Sequence, residues 1–124
     1  MKVTYTCIYA DSDGESHFKD VEVELQETDF APPAMPLQVS SYIPAAECCF
    51  ITLPPGWYGD WHPAPRRQFV IHLSGQIETR ASDGETRTFE PGDILFMEDT
   101  SGKGHISRMV GSAEVRNMIV RLSG

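Results

Sequence analysis

The stretch that decides the fold is residues 56–75, GWYGDWHPAPRRQFVIHLSG. Its first part is rich in Gly, Pro and aromatic residues, whereas residues 68–74 alternate between the two faces of a strand that ends at Ser-Gly. A second unit of this kind lies at 91–97, where Pro-Gly-Asp opens a short apolar strand. Short strands bounded by turn residues predict an all-β fold.

The rest of the chain follows the same period of two. No segment has the apolar spacing of an amphipathic helix, and Asp-Gly within 82–85 is typical of a tight hairpin. The run 28–36 holds three prolines, which remove backbone donors, so we expect an arm or lid there rather than a central strand. Strands are predicted at 3–9, 21–25, 37–42, 47–53, 68–74, 76–81, 86–89, 94–97, 105–110 and 115–122. About ten short strands in 124 residues predict a sandwich or barrel that can enclose a ligand.

Composition limits the partners. The formal net charge of −8 argues against nucleic acid and anionic membranes, because both need a basic surface. We therefore expect a small-molecule ligand. The N-terminal residues lack the apolar core of a signal peptide, and Cys7, Cys48 and Cys49 show no metal-binding or disulfide spacing, so we expect reduced thiols and a cytoplasmic location.

Two spaced motifs resemble those of the cupin superfamily, especially small single-domain bacterial cupins with the segments WHPAPRRQ and DTSGKGH. The first cupin motif is Gly-x5-His-x-His-x(3,4)-Glu-x6-Gly. Here it starts at Gly56 and keeps the spacing throughout, but Ala64 replaces the second histidine and Gln68 replaces the glutamate. The resemblance implies one domain over 1–124, a cupin-type double-stranded β-helix or jelly-roll barrel. Residues 1–46 would supply N-terminal strands and the Pro-rich arm, and 47–122 the motif barrel.

The second motif leaves one alignment open. Counting from Gly92 places Lys103 where the family has a histidine. If the turn is two residues longer, His105 takes that place, and we prefer this alignment because 101–104 looks like a loop that absorbs an insertion.

The resemblance also implies a metal held by three histidines and a glutamate. Only His62 and His105 match such positions here, and Gln68 lacks the carboxylate charge that holds a divalent ion against water. A divalent metal is therefore disfavoured, and the cofactor is left open. His72 faces the same side as Gln68 but lies about 13 Å along the strand, so we expect a buried histidine that is hydrogen-bonded to a neighbour.

Proton chemistry needs no metal. His62 and His105 are the candidate acid and base, because imidazole exchanges protons near neutral pH. Glu98 is a candidate substrate-binding residue at the barrel mouth that could orient an imidazole. For Asp99 we expect a solvated turn residue.

The other candidate substrate-binding residues, among them Gln68 and His72 on the inner face of the first motif strand, lie around the two motifs. Arg66 could clamp a carboxylate, since alternation places it on the side of Gln68. Tyr58 and Trp61, together with Trp57, could line an apolar pocket. Lys103 could approach an anion, although a flexible loop tip fits its sequence better.

Three functions stay open at this level. The first is an isomerase-, lyase- or cyclase-type enzyme that acts on an anionic substrate by histidine acid–base chemistry. The second is a non-catalytic ligand-binding cupin with a degraded metal site, and the third is a metal-dependent dioxygenase. The first requires His62 and His105 to converge on one cavity. A homodimer is expected, because N-terminal strands of this kind often pair across a subunit boundary.

Overall fold

The computed structural model describes residues 1–123, so the last residue of the predicted domain lies outside it. Within this range the chain contains strands and no helix, and therefore no helix that is long and apolar enough to cross a membrane. The strands are β1 (Lys2–Ala10), β2 (Ser16–Glu24), β3 (Gln26–Thr28), β4 (Leu37–Val39), β5 (Ala45–Leu53), β6 (Tyr58–His62), β7 (Gln68–Ser74), β8 (Gln76–Ala81), β9 (Thr86–Phe89), β10 (Ile94–Glu98), β11 (His105–Val110) and β12 (Val115–Leu122).

Two sheets form the barrel. The larger has the strand order β2-β1-β10-β7-β12-β5 and the smaller has the order β6-β11-β8-β9. Neighbouring strands are antiparallel except for β1 and β10, which are parallel. The predicted all-β class is confirmed, and β2 and β5 lie at the edges of the larger sheet.

The core lies between the two sheets. Leu95 and Ile8 come from the larger sheet and pack with Ile77, Phe89 and other residues of the smaller one. Inward residues of β7 and β8 alternate with more exposed ones, as the period of two predicted. Packing of two apolar faces against each other provides the main stabilisation and leaves a space inside the barrel.

The larger sheet is also apolar on its outer face. Cys7, Phe96 and Leu122 form a second buried cluster there, and Tyr5 and Phe69 pack against it. The Phe69 and Phe96 rings lie 4.4 Å apart between centroids. This face is separate from the interior of the barrel.

Four parts of the strand prediction need correction, and the first is that β3 (Gln26–Thr28) was not predicted. Residues 58–62 form β6, which the Gly, Asp and aromatic residues concealed because they break the apolar alternation. Strand β2 begins at 16 rather than 21, and the strand predicted at 37–42 ends at 39. The Pro-rich run 28–36 is no central strand, as expected: it is essentially the loop that joins β3 to β4.

Turns from distant parts of the chain meet at one end of the barrel. The Ser16 hydroxyl donates to the backbone oxygen of Gly104 over 2.6 Å, and the Lys103 backbone N–H donates to the oxygen of Gly14 over 2.9 Å. The Lys103 ammonium pairs with Glu15. These contacts hold the loop 99–104 against the first hairpin and so fix the start of β11.

Candidate functional site

A cavity of about 210 Å³ lies inside the barrel between the two sheets. Apolar residues form most of its wall, among them Leu53, Trp57, Leu95 and Ile119. No Lys, Arg, Asp or Glu of residues 1–123 lines it. Its polar wall residues are His62, Gln68, His72, Thr79, His105, Ser107 and Asn117. The interior is thus apolar with a few uncharged polar groups and imidazoles, which is the usual composition of a small-molecule site.

His105 is oriented by a buried carboxylate. Its Nδ1 lies 2.6 Å from Oδ2 of Asp99, and the two residues are 2% and 0% exposed. Because the carboxylate oxygen can only accept, the Nδ1–H donates and Nε2 is left as the basic nitrogen of the neutral ring. The expectation that Asp99 is a solvated turn residue is wrong, because the loop 99–104 folds back over the end of the barrel.

His62 lies beside His105 at the cavity mouth. The two are paired in register on β6 and β11, and their ring centroids are 4.7 Å apart. The His62 Nδ1–H donates to the backbone oxygen of Asp60 over 2.6 Å, which again leaves Nε2 as the basic nitrogen. His105 is buried, whereas His62 is exposed on one side. The two imidazoles therefore converge on one cavity.

Gly104 permits this approach of β6 and β11. It has a φ of 71°, and a Cβ at this position would overlap the backbone carbonyl of His62. Only glycine adopts this positive φ without strain and also leaves room for the carbonyl of His62. As for the open alignment, His105 is the residue in the cavity wall, and Lys103 is exposed and pairs with Glu15 outside it.

Gln68 and His72 point inward from β7, as alternation predicted. The Gln68 amide donates weakly to the sulfur of Met97, at 3.7 Å. His72 donates from Nδ1 to the backbone oxygen of Asp93 over 2.9 Å and stacks on Phe89. Burial lowers the pKa of His72, which keeps its ring neutral. The expected buried, hydrogen-bonded histidine is confirmed.

Sequence reasoning missed three further polar wall residues. The hydroxyls of Thr79 and Ser107 lie 3.0 Å apart across β8 and β11. Asn117 is 3% exposed, and its Oδ1 has no hydrogen-bond partner. The available signal was a polar residue at an inward position of an otherwise apolar strand, and Asn117 between Val115 and Ile119 is the clearest case.

The remaining predicted substrate-binding residues lie outside the cavity wall. Tyr58 is 70% exposed, and Trp61 and Lys103 border a separate surface depression. Arg66 is exposed in the turn before β7. Glu98 lies on the outer side of the barrel.

Arg67, the residue that follows Arg66, also lies outside the cavity. Its guanidinium lies 3.9 Å from Glu98 and above the ring of Phe96, on the outer face of the larger sheet. Glu98 also accepts from the thiol of Cys7 at 3.9 Å. Alternation cannot be extended from β7 back to Arg66, because residues 63–67 are a turn and not part of the strand.

The metal set that the resemblance implies does not fit this interior. Across residues 1–123, no three His, Cys, Asp or Glu side chains are grouped so that they could hold a metal ion. The donors near His62 and His105 are the neutral amide of Gln68 and the carboxylate of Asp99, whose Oδ2 already binds His105. Two imidazoles without an ionised third ligand make a poor divalent site.

The comparisons with known proteins agree with this architecture. The chain matches the family model described as Cupin domain over residues 49–120, more than half of its length, and so belongs to the cupin family. Cupins act on small molecules, and membership supports function at that level. No curated protein sequence matches the chain.

Two solved structures illustrate the likeness. One is an RmlC-like cupin family protein with a double-stranded β-helix fold from Methanocaldococcus jannaschii, with a TM-score of 0.52, 13% identity and coverage of 79% of this chain and 87% of that chain. The other is the cupin domain of Schizosaccharomyces pombe Cnp3, with a TM-score of 0.49, 12% identity and coverage of 99% and 84%. The first similarity confirms the expected double-stranded β-helix; identities this low support the fold alone.

Proposed function

We propose that the chain is a metal-independent enzyme that moves a proton on a small molecule, in the manner of an isomerase or lyase. One observation carries the proposal: two imidazoles on neighbouring strands, 4.7 Å apart between centroids, line the same cavity, and a buried carboxylate orients one of them. Two proton-exchanging groups at one substrate are what a proton shift or an elimination requires.

The roles follow from the burial of each ring. His105, held by Asp99, is the base: its Nε2 takes a proton from the substrate, and the carboxylate stabilises the imidazolium that forms. His62, at the mouth and in contact with solvent, is the acid: its Nε2 takes up a proton from water, donates it to the substrate and is then protonated again by water. The apolar wall excludes bulk water, which strengthens the interaction between Asp99 and His105.

The expectation of an anionic substrate rested on Arg66 as the residue that would bind a carboxylate. Arg66 is exposed and lies outside the cavity wall, so a carboxylate inside the barrel would meet only imidazoles and neutral groups. The proposal therefore keeps the acid–base chemistry without the arginine clamp. Non-catalytic ligand binding is the alternative function, and the following experiment distinguishes it from the proposed enzyme.

Hydrogen exchange with solvent tests the proposal without knowledge of the physiological substrate. The protein is incubated in D2O with a panel of small carbonyl and hydroxy compounds, and deuterium at carbon is followed by NMR. The wild type should label at least one compound. His105→Gln should slow labelling by about 100-fold or more, the lower end of the range for acid–base catalysis.

His17 offers a matched control. It is a histidine that also bonds to carboxylates, Asp11 and Asp83, but on the outer surface. His17→Gln should therefore label at the wild-type rate. Compounds that bind the wild type without acquiring deuterium would contradict the enzyme and favour the non-catalytic alternative.

A further inference from the structure

An apolar groove lies on the outer face of the larger sheet. Its volume is about 300 Å³, and it is lined by residues of the sheet, such as Tyr5 and Ile71, and by Ile43 of the segment before β5. No Lys, Arg, Asp or Glu within 1–123 lines it. Ile71 lines the groove whereas Val70, its neighbour in β7, lines the cavity, so the two spaces lie on opposite sides of the sheet. The groove is therefore independent of the proposed active site.

The segment beside this groove is exposed and uncharged. Residues 30–46 include no charged residue, although 23% of the chain is charged. Within the described chain, six of the twelve exposed large apolar side chains lie between positions 30 and 50, namely Phe30, Met35, Leu37, Tyr42, Ile43 and Phe50. Single apolar side chains are normal on a surface, but such a concentration marks an interaction site.

The two most suitable anchor residues of this segment are aromatic. Phe50 pairs with Met118 of β12, and the next residue, Ile119, belongs to the inner core, so Met118 and Phe50 point to the outer face. Tyr42 precedes Ile43, which lines the groove. Phe50 is 74% exposed and Tyr42 is 85% exposed. The surface thus combines projecting aromatic rings with a groove beside them.

A second copy of the chain is the partner that fits this surface. Each copy has a net charge of −8, so two copies can approach closely only where charge is absent or compensated, and the groove and residues 30–46 are uncharged. Two ion pairs near this surface are formed within one chain: Arg67 lies 3.9 Å from Glu98, and Arg121 donates to Glu47 over 3.2 Å. A two-fold axis can place the rings of each copy over the groove of the other.

The size of the surface also matches a dimer. A stable interface takes about 20–30 residues from each partner. Residues 30–50 are all exposed except Val39 and Ser40, which are half-buried. Together with the sheet residues that line the groove, they reach that number.

We propose that residues 30–50 and the groove on the outer face of the larger sheet form the contact surface of a homodimer, with Phe50 and Tyr42 of each copy as the aromatic anchors. A few aromatic residues usually supply most of the binding energy of an interface. Burial of this apolar surface removes it from water, which drives association. The inference does not rest on the proposed enzyme, because the surface and the cavity are on opposite sides of the sheet.

Light scattering after size-exclusion chromatography tests the dimer with the full chain. At about 50 μM, above the dissociation constant of a micromolar complex, the wild type should have twice the chain mass of 13.8 kDa. Its urea midpoint should also rise with protein concentration, because association stabilises the folded state. A monomeric wild type would overturn the proposal. If that monomer bound phosphatidylcholine vesicles, the surface would instead be assigned to lipid.

Substitutions place the contact on this surface. Phe50→Glu and Tyr42→Glu each bring a charge into the interface from both copies, so each should raise the dissociation constant of the dimer about 30-fold or more. Phe50→Ala adds no charge and serves if a glutamate variant does not fold. It should raise the dissociation constant about tenfold.

Tyr58→Glu is the matched control. Tyr58 is 70% exposed but borders a depression on the outer face of the smaller sheet, beside Glu78 and Arg108. The Tyr58→Glu dimer should therefore keep the wild-type dissociation constant. Wild-type affinity in the variants of Phe50 and Tyr42, or an equal loss in Tyr58→Glu, would overturn the assignment of the surface.

Discussion

Replacement of Asp99 by Asn should destabilise the protein through His105 in particular. Asn has the shape of Asp but no charge, so the perturbation converts a charge-assisted hydrogen bond into a neutral one. The bond is short, 2.6 Å, and both residues are almost fully buried. Hydrogen bonds to charged groups contribute about 1.5–3 kcal/mol to stability. We expect a loss of about 2 kcal/mol.

The single variant does not isolate this interaction, because removal of one member of a buried pair also leaves the other unpaired. A double-mutant cycle corrects for that. Free energies of unfolding are measured in urea for the wild type, Asp99→Asn, His105→Gln and the double variant. The coupling energy should be about 2 kcal/mol. Additivity within about 0.5 kcal/mol, the value typical of independent sites, would refute the reasoning.

Three further predictions concern stability and thiol access. Gly104→Ala should lower the free energy of unfolding, measured in urea, by several kcal/mol, because the added Cβ would overlap the backbone of His62. Gly84→Ala is the control: its φ is 101° and no atom lies within 4 Å of the added Cβ, so it should cost only about 1–2 kcal/mol. Equal losses in the two variants would contradict the steric argument. The free energy of unfolding should fall as pH drops below about 6.5, because burial lowers the pKa of His72 and the unfolded chain then binds a proton that the folded chain does not. In His72→Phe the urea midpoint should depend less on pH. An unchanged pH dependence in this variant would contradict the assignment to His72. Burial and a nearby carboxylate raise the pKa of Cys7 to about 11. An aromatic disulfide reagent at about pH 8 should therefore label the exposed Cys48 and Cys49 quickly and Cys7 only after unfolding. Fast labelling of all three thiols would contradict the burial of Cys7.

Strand alternation was sufficient for much of the fold and part of the site. It placed Gln68 and His72 on the inner face of β7 because that strand is regular and buried on one side. Motif spacing predicted that His62 and His105 line one cavity, as they do, although 43 positions separate them in the chain. Strand alternation is a local pattern and motif spacing depends on a fixed strand register, so both can be recognised in a single sequence.

Alternation was insufficient for residues whose environment depends on loops. Asp99 follows a strand and has the polar neighbours of a surface turn, yet contacts of Lys103 with the first hairpin fold that turn over the barrel end. Arg66 fails for the related reason that it lies in a turn, where the period of two no longer applies. Asn117 was overlooked because a single polar residue in an apolar strand carries little weight without its partners.

The edge position of β5 has a consequence for hydrogen exchange. This strand pairs with β12 on one side and, within residues 1–123, with no strand on the other. In an antiparallel pair, successive N–H groups point alternately toward the neighbour and away from it. Amide protons of β5 should therefore exchange in an odd–even pattern, slow and fast in turn. A strand that docks along this edge in solution would slow the fast set, so residue-resolved exchange reports directly whether the edge is covered.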